Sequence, residues 1–242
     1  MRVAVTRPEG AAGAFTAALA AQGHEALSAP LLEIHPLEVA LPGLTDFQAL
    51  LATSAAAFAA CGETALETAP PVFAIGAATA DAARACGARA VRAAAGDAAA
   101  LESAVLRACR PEAGPLLYLC GQVRRVDLAG KLRAAGFTVS QIETYAAQPV
   151  AALPAVLRTR LESGEIDAVA FFSPRTARSF VRLICDAGLE AACGKLIAAC
   201  LSAAVAAELE GLAWRRVAVA NSPDQEALLA ALDSQNGPEG AR

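Results

Sequence analysis

The sequence predicts an α/β protein made of two similar parallel-sheet domains. Short apolar runs alternate with longer helical patterns along all 242 residues, as is typical of parallel sheets covered by helices. Two different strand-and-helix plans each occur twice, and such internal repetition indicates two similar domains. The length suits two small domains or one large one, and an apolar content of 56% supplies a core of closely packed, mostly small side chains.

The first segment of the chain carries the first plan. Val3–Val5 is predicted to be a strand, followed by the loop Thr6–Gly10 and a helix that runs to Gln22. Gly23 stops that helix, because glycine adopts the left-handed conformation that ends helices. A second extended run then reaches Ile34.

The third segment repeats this plan. Leu116–Leu119 is predicted to be a strand and Cys120–Arg125 a loop. A helix follows to Ala135, Gly136 stops it, and Val139–Tyr145 is extended.

The second and fourth segments share the other plan. FQALLATSAAAFAACG parallels IDAVAFFSPRTARSFV, and PVFAIGAATADAARACG parallels KLIAACLSAAVAAELEG. Proline-rich breaks near residues 36–42 and 149–154 are the natural linkers. We therefore expect one domain from residues 42–148 and a discontinuous one from 1–36 with 152–242. A ligand would bind in a cleft between them, at the carboxyl ends of the strands.

Composition excludes several classes of protein. The net charge of -4, with acids and bases interspersed, argues against nucleic-acid binding. The first residues, MRVAVTRPEG, resemble a strand and not a signal peptide. No apolar run has the length of about 18 residues that a transmembrane helix needs. A protein of the cytoplasm that does not associate with membranes is expected.

Cysteines and histidines give no sign of a metal site. The seven cysteines are odd in number, lack a CxxC spacing and mostly lie in apolar runs, so reduced core residues are expected. His24 and His35 stand alone, which favours surface or capping roles.

Four turns recur where strands end and helices begin. Small hydroxyl residues there either cap the helix or, with its free N–H groups, bind a carboxylate or phosphate. The four turns are Thr53-Ser54-Ala55, Gly76-Ala77-Ala78-Thr79, Ser173-Pro174-Arg175 and Cys200-Leu201-Ser202.

Two further loops carry arginines. Arg7 either binds an anion or pairs with Glu9. In the equivalent loop Gly121 permits a close approach of the backbone. Arg124 and Arg125 open a helix, where positive charge opposes the macrodipole unless an anionic partner is present or the face is solvated.

Tyr145 is the candidate for proton transfer. It is expected to end its strand just before the return linker and so to face the cleft between the domains. A phenol can donate or accept a proton, although a structural tyrosine is the simpler interpretation. Without an obvious nucleophile or metal set, catalysis would depend on positioning and electrostatics.

The ordered motifs resemble those of the uroporphyrinogen-III synthase family over essentially the whole chain. They are VAVTRPEG, LLEIHPLE, LLATSAAAF, VFAIGAATADAARACG, CGQVRRVDLAGKLRAAG, VSQIETYAAQP, AVAFFSPRTARSF and NSPDQEALLAAL. The resemblance implies two flavodoxin-like α/β domains joined by a two-stranded linker. It also implies a monomeric enzyme that needs neither a metal nor an organic cofactor.

The implied reaction is the cyclisation of hydroxymethylbilane, which carries eight carboxylates, to uroporphyrinogen III with loss of water and inversion of ring D. Tyr145 matches the family's cleft tyrosine, which is proposed to assist loss of the hydroxyl. Hydroxymethylbilane synthase, which supplies the substrate, is a candidate partner. The expected substrate-binding residues are Arg7, Thr53, Ser54, Gly76, Thr79, Gly121, Arg125, Ser173, Pro174 and Ser202.

One stretch departs from the family pattern. Where members usually read IGPTTA this chain reads ACLSAAV, so Ala203 falls on the second threonine and Cys200 replaces the glycine. Two alternatives therefore stay open. They are a non-catalytic two-domain binding module and an inactive paralogue, each for an anionic tetrapyrrole-like small molecule.

Overall fold

The computed structural model describes residues 1–94, 98–124 and 126–234, with the side chains of residues 9–11 left aside. Its strands, in chain order, are β1 (Arg2–Val5), β2 (Glu25–Ser28), β3 (Leu32–Pro36), β4 (Ala49–Ala52), β5 (Val72–Ile75), β6 (Val91–Ala94), β7 (Leu116–Gly121), β8 (Val139–Pro149), β9 (Ala168–Phe171), β10 (Ile197–Cys200) and β11 (Arg216–Val219).

The α-helices alternate with these strands. They are α1 (Glu9–Ala21), α2 (Gly76–Ala85), α3 (Ala98–Ala108), α4 (Leu128–Ala134), α5 (Ala155–Glu162), α6 (Pro174–Asp186), α7 (Glu190–Cys193), α8 (Ala203–Ala207) and α9 (Gln225–Asp233). Short 3-10 helices occur at Leu44–Asp46, Ala55–Phe58 and Pro111–Ala113. In the part of the chain that the structure covers, no helix is long and apolar enough to cross a membrane.

Contacts between Cα atoms divide the chain into two compact units. Residues 1–33 and 148–242 form what we call the terminal unit, and residues 34–147 form the central unit. The predicted α/β class is confirmed, because both units are organised around a sheet of mainly parallel strands with helices between them.

The sheet of the terminal unit has the strand order β11-β10-β9-β1-β2, and every pairing in it is parallel. Side chains alternate across it, so Val3 and Val5 pack with α1 and α9 on one face. Ala4 and Phe171 pack with α5 and α6 on the other. Both faces are thus buried, which explains why these strands read as continuous apolar runs.

The sheet of the central unit has the order β3-β8-β7-β4-β5-β6, with parallel pairings from β8 to β6. Along β7, Tyr118 and Cys120 belong to the face covered by α3 and α4. Leu117 and Leu119 belong to the opposite face, which packs against α2 and the 3-10 helix Ala55–Phe58.

The pairing of β3 with β8 differs from the rest. Leu37 N donates to Thr144 O at 2.9 Å, and Val150 N donates to Leu31 O at 3.2 Å. Because the residue numbers rise along one segment as they fall along the other, the two strands are antiparallel.

The predicted strand boundaries around Pro30 and at the end of β7 were wrong. The extended run expected to continue to Ile34 is broken into β2 and β3, because Pro30 has no N–H to continue the ladder. Cys120 and Gly121, expected in a loop, extend β7 and pair with β8.

A buried hydroxyl on β8 supplies a test of the core. Thr144 is almost completely buried, and its Oγ1 has no hydrogen-bond partner among the residues that the structure describes. An unsatisfied buried polar group is costly, whereas valine has the same shape without the hydroxyl. Thr144→Val is therefore expected to raise the free energy of unfolding by about 1 kcal/mol, measured by urea denaturation.

Thr6 is the matched control for that substitution. It is equally buried, but its Oγ1 donates to Ala170 O at 2.7 Å. Thr6→Val should lower the free energy of unfolding, by about 1 kcal/mol. If both substitutions moved stability in the same direction, the orphaned hydroxyl of Thr144 would not be the cause.

Candidate functional site

Two hydroxyl residues lie at the carboxyl end of β4 in the central unit. Ser54 precedes the 3-10 helix Ala55–Phe58 and caps it, since its Oγ accepts from Ala56 N at 3.2 Å. Thr53 does not cap this helix but contacts the phenol of Tyr118, with 3.3 Å between the two hydroxyl oxygens. The side chains of adjacent residues in an extended chain project to opposite sides, so Thr53 and Ser54 lie on opposite faces of the sheet.

Tyr118 lies within β7 and is 2% exposed. Burial raises the pKa of its phenol above the ordinary value, and the hydrogen bond that Thr53 would donate to the ionised phenolate opposes part of that rise. The phenol therefore stays protonated at neutral pH. Tyr118 was not selected from the sequence. The alternation of side chains along β4 and β7 would have indicated that Tyr118 and Thr53 lie on the same face of the sheet.

Tyr145 was expected at the end of its strand, and this was wrong. β8 continues to Pro149, because antiparallel β3 gives its second half a partner. Tyr145 packs against the face opposite Tyr118. Burial raises the pKa of its phenol, and a hydrogen bond from the Ser54 side chain opposes part of that rise.

Gly121 makes room for the Tyr145 ring. The two residues are paired across β7 and β8 at a register shift between Cys120 and Gly121. A Cβ atom on Gly121 would lie 2.6 Å from Tyr145 Cζ and 2.9 Å from its hydroxyl oxygen. Gly121 was expected to permit a close approach to its backbone. The group that approaches it is the Tyr145 ring of the protein itself.

We call Thr53, Ser54, Tyr118, Gly121 and Tyr145 the tyrosine site. Its members belong to three adjacent parallel strands: Thr53 and Ser54 directly follow β4, Gly121 ends β7, and Tyr118 and Tyr145 lie within β7 and β8. The Tyr118 phenol is hydrogen-bonded to Thr53, and the Tyr145 phenol is hydrogen-bonded to Ser54. The structure thus joins four of the predicted site residues and adds Tyr118.

Arg124 borders the tyrosine site as a fixed cation. Its Nη1 donates to Gly121 O at 3.0 Å and to Glu143 Oε1 at 2.9 Å, and it lies 3.5 Å from Cys120 Sγ. The Glu143 carboxylate is thus an anionic partner of Arg124 within the protein. Arg125, the residue predicted to bind substrate, lies outside the described residues.

Gly76 and Thr79 do not form the small-residue turn that was expected. β5 runs directly into α2, since Gly76 makes the change of direction alone with a φ of 74°. Thr79 is the fourth residue of that helix and is 5% exposed. The N-terminal capping position belongs to Ile75, whose side chain makes no capping hydrogen bond.

The remaining candidates lie in the terminal unit. The guanidinium of Arg7 lies over the Phe172 ring, 4.5 Å from its centroid, so the ring fixes this cation. Ser173 caps α6, because its Oγ accepts from Thr176 N at 3.2 Å, and Pro174 is the first residue of that helix. The capping interpretation thus describes both Ser54 and Ser173.

Ser202 stands before α8 but makes no side-chain capping bond. Cys200, expected in the turn, is instead the last residue of β10 and is fully buried, and burial raises the pKa of its thiol to about 12. Among the described residues, no group of three or more His, Cys, Asp or Glu could hold a metal ion.

Solved structures share this α/β fold. The chain resembles the uroporphyrinogen-III synthetase of Helicobacter pylori 26695 with a TM-score of 0.57 at 17% identity, over 96% of this chain and 98% of that one. The Thermus thermophilus uroporphyrinogen III synthase gives a TM-score of 0.43 at 20% identity, over 96% and 98% of the two chains. Among curated proteins, none matches the sequence. The likeness to the Helicobacter pylori structure shows a shared α/β fold.

A family model, described as uroporphyrinogen-III synthase HemD, matches residues 13–230. The match covers most of the sequence, and the chain belongs to the uroporphyrinogen-III synthase family. It is accordingly a lyase-type enzyme of porphyrin biosynthesis.

Proposed function

We propose that the chain cyclises hydroxymethylbilane to uroporphyrinogen III, with loss of water and inversion of ring D. The observation that carries this proposal is the family match over residues 13–230. The tyrosine site supports it, because the protonated phenol of Tyr145 lies beside Gly121 and Ser54, at the carboxyl ends of two parallel strands, where α/β proteins bind ligands.

The first chemical step is loss of the terminal hydroxyl. The lone pair of the adjacent pyrrole nitrogen moves into the ring, the C–O bond breaks, and a proton from Tyr145 converts the departing hydroxide to water. An azafulvenium ion remains, its positive charge stabilised by the ring nitrogen, and transfer of the N–H proton to the Tyr145 phenolate gives the neutral azafulvene. Because the raised pKa keeps Tyr145 protonated, the phenol is in the form that this step needs.

Ring closure then joins the azafulvene carbon to the substituted carbon of ring D, which gives a spiro intermediate. One bond of that intermediate breaks and re-forms at the other side of ring D, so the ring is inverted, and loss of a proton restores the aromatic pyrrole. Electrons come from the pyrroles throughout. The protein therefore needs to hold the chain and assist the leaving group, and we propose that it uses no metal or organic cofactor.

The eight carboxylates of the substrate require several donors. We propose that the side chains of Arg7, Thr53, Ser54, Thr79, Arg125, Ser173 and Ser202 bind them, together with backbone N–H groups at Gly76 and Gly121. Pro174, which has no N–H, would line the site. The Ser54 and Ser173 hydroxyls also have partners in the protein, the Tyr145 phenol and Thr176 Oγ1 at 2.7 Å, so each O–H would turn from that partner to donate to a carboxylate.

The domain organisation belongs to the same proposal. Residues 1–36 with 152–242 and residues 42–148 form the two flavodoxin-like domains, and the antiparallel pair of β3 and β8 is their two-stranded linker. The division into terminal and central units supports these limits. We further propose a monomer in the cytoplasm, supplied by hydroxymethylbilane synthase, and the free thiols of the seven cysteines support a reducing compartment.

The isomer of the product tests the function. Hydroxymethylbilane closes unaided to the type I isomer, so a synthase is expected to shift the product to type III. The measurement is chromatographic separation of the two isomers, after oxidation to uroporphyrins, with and without purified protein. A product ratio identical to that of the spontaneous reaction would contradict the proposal.

Two non-catalytic functions have one observation in their favour. Ala203, the first residue of α8, lacks the hydroxyl that the family pattern places there. An inactive paralogue or a binding module for an anionic tetrapyrrole-like molecule would bind hydroxymethylbilane without changing the isomer ratio. Calorimetric binding together with the product assay separates these functions from the synthase.

A further inference from the structure

Tyr118 and Thr53 form a pair that the family match does not assign. Tyr118 lies on the face of the central sheet opposite Tyr145, and its hydroxyl oxygen is 3.3 Å from Thr53 Oγ1. Tyr118 is almost completely buried, so its phenol is closed to substrate. Thr53 is half-buried at the end of β4, so its hydroxyl can be reached.

The direction of this hydrogen bond follows from acidity and burial. A phenol is a stronger acid than an aliphatic alcohol and therefore the better donor. Among the described residues, the Tyr118 hydroxyl has no partner but Thr53, and a buried O–H without an acceptor would be costly. Tyr118 thus donates, and Thr53 Oγ1 accepts.

This direction determines what Thr53 can offer. Its oxygen is occupied as an acceptor on the side of Tyr118, so its own proton points away from the phenol. Within the described residues the Thr53 hydroxyl has no other hydrogen bond. A group that meets it at the end of the sheet therefore encounters a donor, which favours an anion.

We propose that Tyr118 is a positioning residue that fixes the Thr53 hydroxyl as a donor to a carboxylate of the substrate. The inference rests on the proposed function and deepens it. The two tyrosines then have different tasks. Tyr145, beside Ser54, serves the departing hydroxyl, whereas Tyr118 acts through Thr53 on binding.

Kinetics of Tyr118→Phe test this division of tasks. Without the Tyr118 hydroxyl, the Thr53 hydroxyl loses its fixed direction. Binding of the substrate and binding of the transition state are then weakened equally. KM for hydroxymethylbilane is expected to rise about three- to tenfold, with kcat changed less than about twofold. Tyr145→Phe is the matched control, since the same atom is removed from the other face and a fall in kcat is expected.

Variants of Thr53 supply the second measurement. Thr53→Val should raise KM as much as Tyr118→Phe does, whereas Thr53→Ser should keep the parent KM. The double variant, Thr53→Val with Tyr118→Phe, should have the same KM as Thr53→Val alone. An unchanged KM in Tyr118→Phe, or additive effects in the double variant, would overturn the inference. A parent protein that forms no type III product would instead contradict the proposed function itself.

Discussion

Tyr145→Phe is expected to lower the rate of type III formation about tenfold or more. The leaving group is hydroxide, which departs poorly, and this change removes only the phenol hydroxyl. General acid assistance typically contributes about 10²- to 10⁴-fold. Because the pyrrole nitrogen also drives the hydroxyl out unaided, the lower end of that range is expected.

The pH dependence offers an independent check of Tyr145. Burial raises the pKa of its phenol above the ordinary value of about 10. An acid is active below its pKa, so assistance by Tyr145 should persist through neutral pH and be lost only above pH 10. Circular dichroism should show unchanged folding in the phenylalanine variant. Formation of uroporphyrinogen III at the parent rate would show that positioning alone carries the reaction.

Gly121→Ala should lower the same rate about 10- to 100-fold without removing any polar group. The new Cβ would lie 2.6 Å from Tyr145 Cζ, so the ring has to move. A displacement of about 1 Å at a reacting group can cost about 10²-fold. The free energy of unfolding should fall by only about 1 kcal/mol, because the far end of a side chain can shift. Single-turnover kinetics and urea denaturation measure the two effects.

Gly62→Ala is the matched control for Gly121→Ala. Both glycines belong to the central unit and neither has a positive φ, so alanine fits the backbone at each. A Cβ on Gly62 would meet no atom within 4 Å, and parent activity is expected. If Gly121→Ala were equally active, the tight packing of the Tyr145 ring would have no part in the reaction.

The class of fold was predictable because parallel strands that are buried on both faces consist of short runs of apolar residues. Val3–Val5 and Leu116–Leu119 were correctly identified as strands, since both faces of each sheet are covered by helices. Strand limits were less predictable. The extension of β8 to Pro149 depends on its antiparallel neighbour, and the sequence of β8 alone does not specify that neighbour.

The candidate site was predictable in its residue types and incomplete in its geometry. Thr53 and Ser54 were chosen as small hydroxyl residues after a strand, which local sequence can indicate. The pairing of Tyr118 with Thr53 joins residues 65 positions apart, so it depends on the register between β4 and β7. Likewise, the contact between Gly121 and Tyr145 arises at a register shift that no local pattern specifies.

The position of β1 has a consequence for the order in which the protein folds during synthesis. β1 lies between β2 and β9, and its Val3 pairs with Ala168, so this inner strand waits for residues that are made much later. Residues 34–147 leave the ribosome as a continuous compact unit before β9 exists. The central unit can therefore fold while β1 still has one unpaired edge, and such an edge invites wrong pairing. Slow release of the last hundred residues would prolong that exposure.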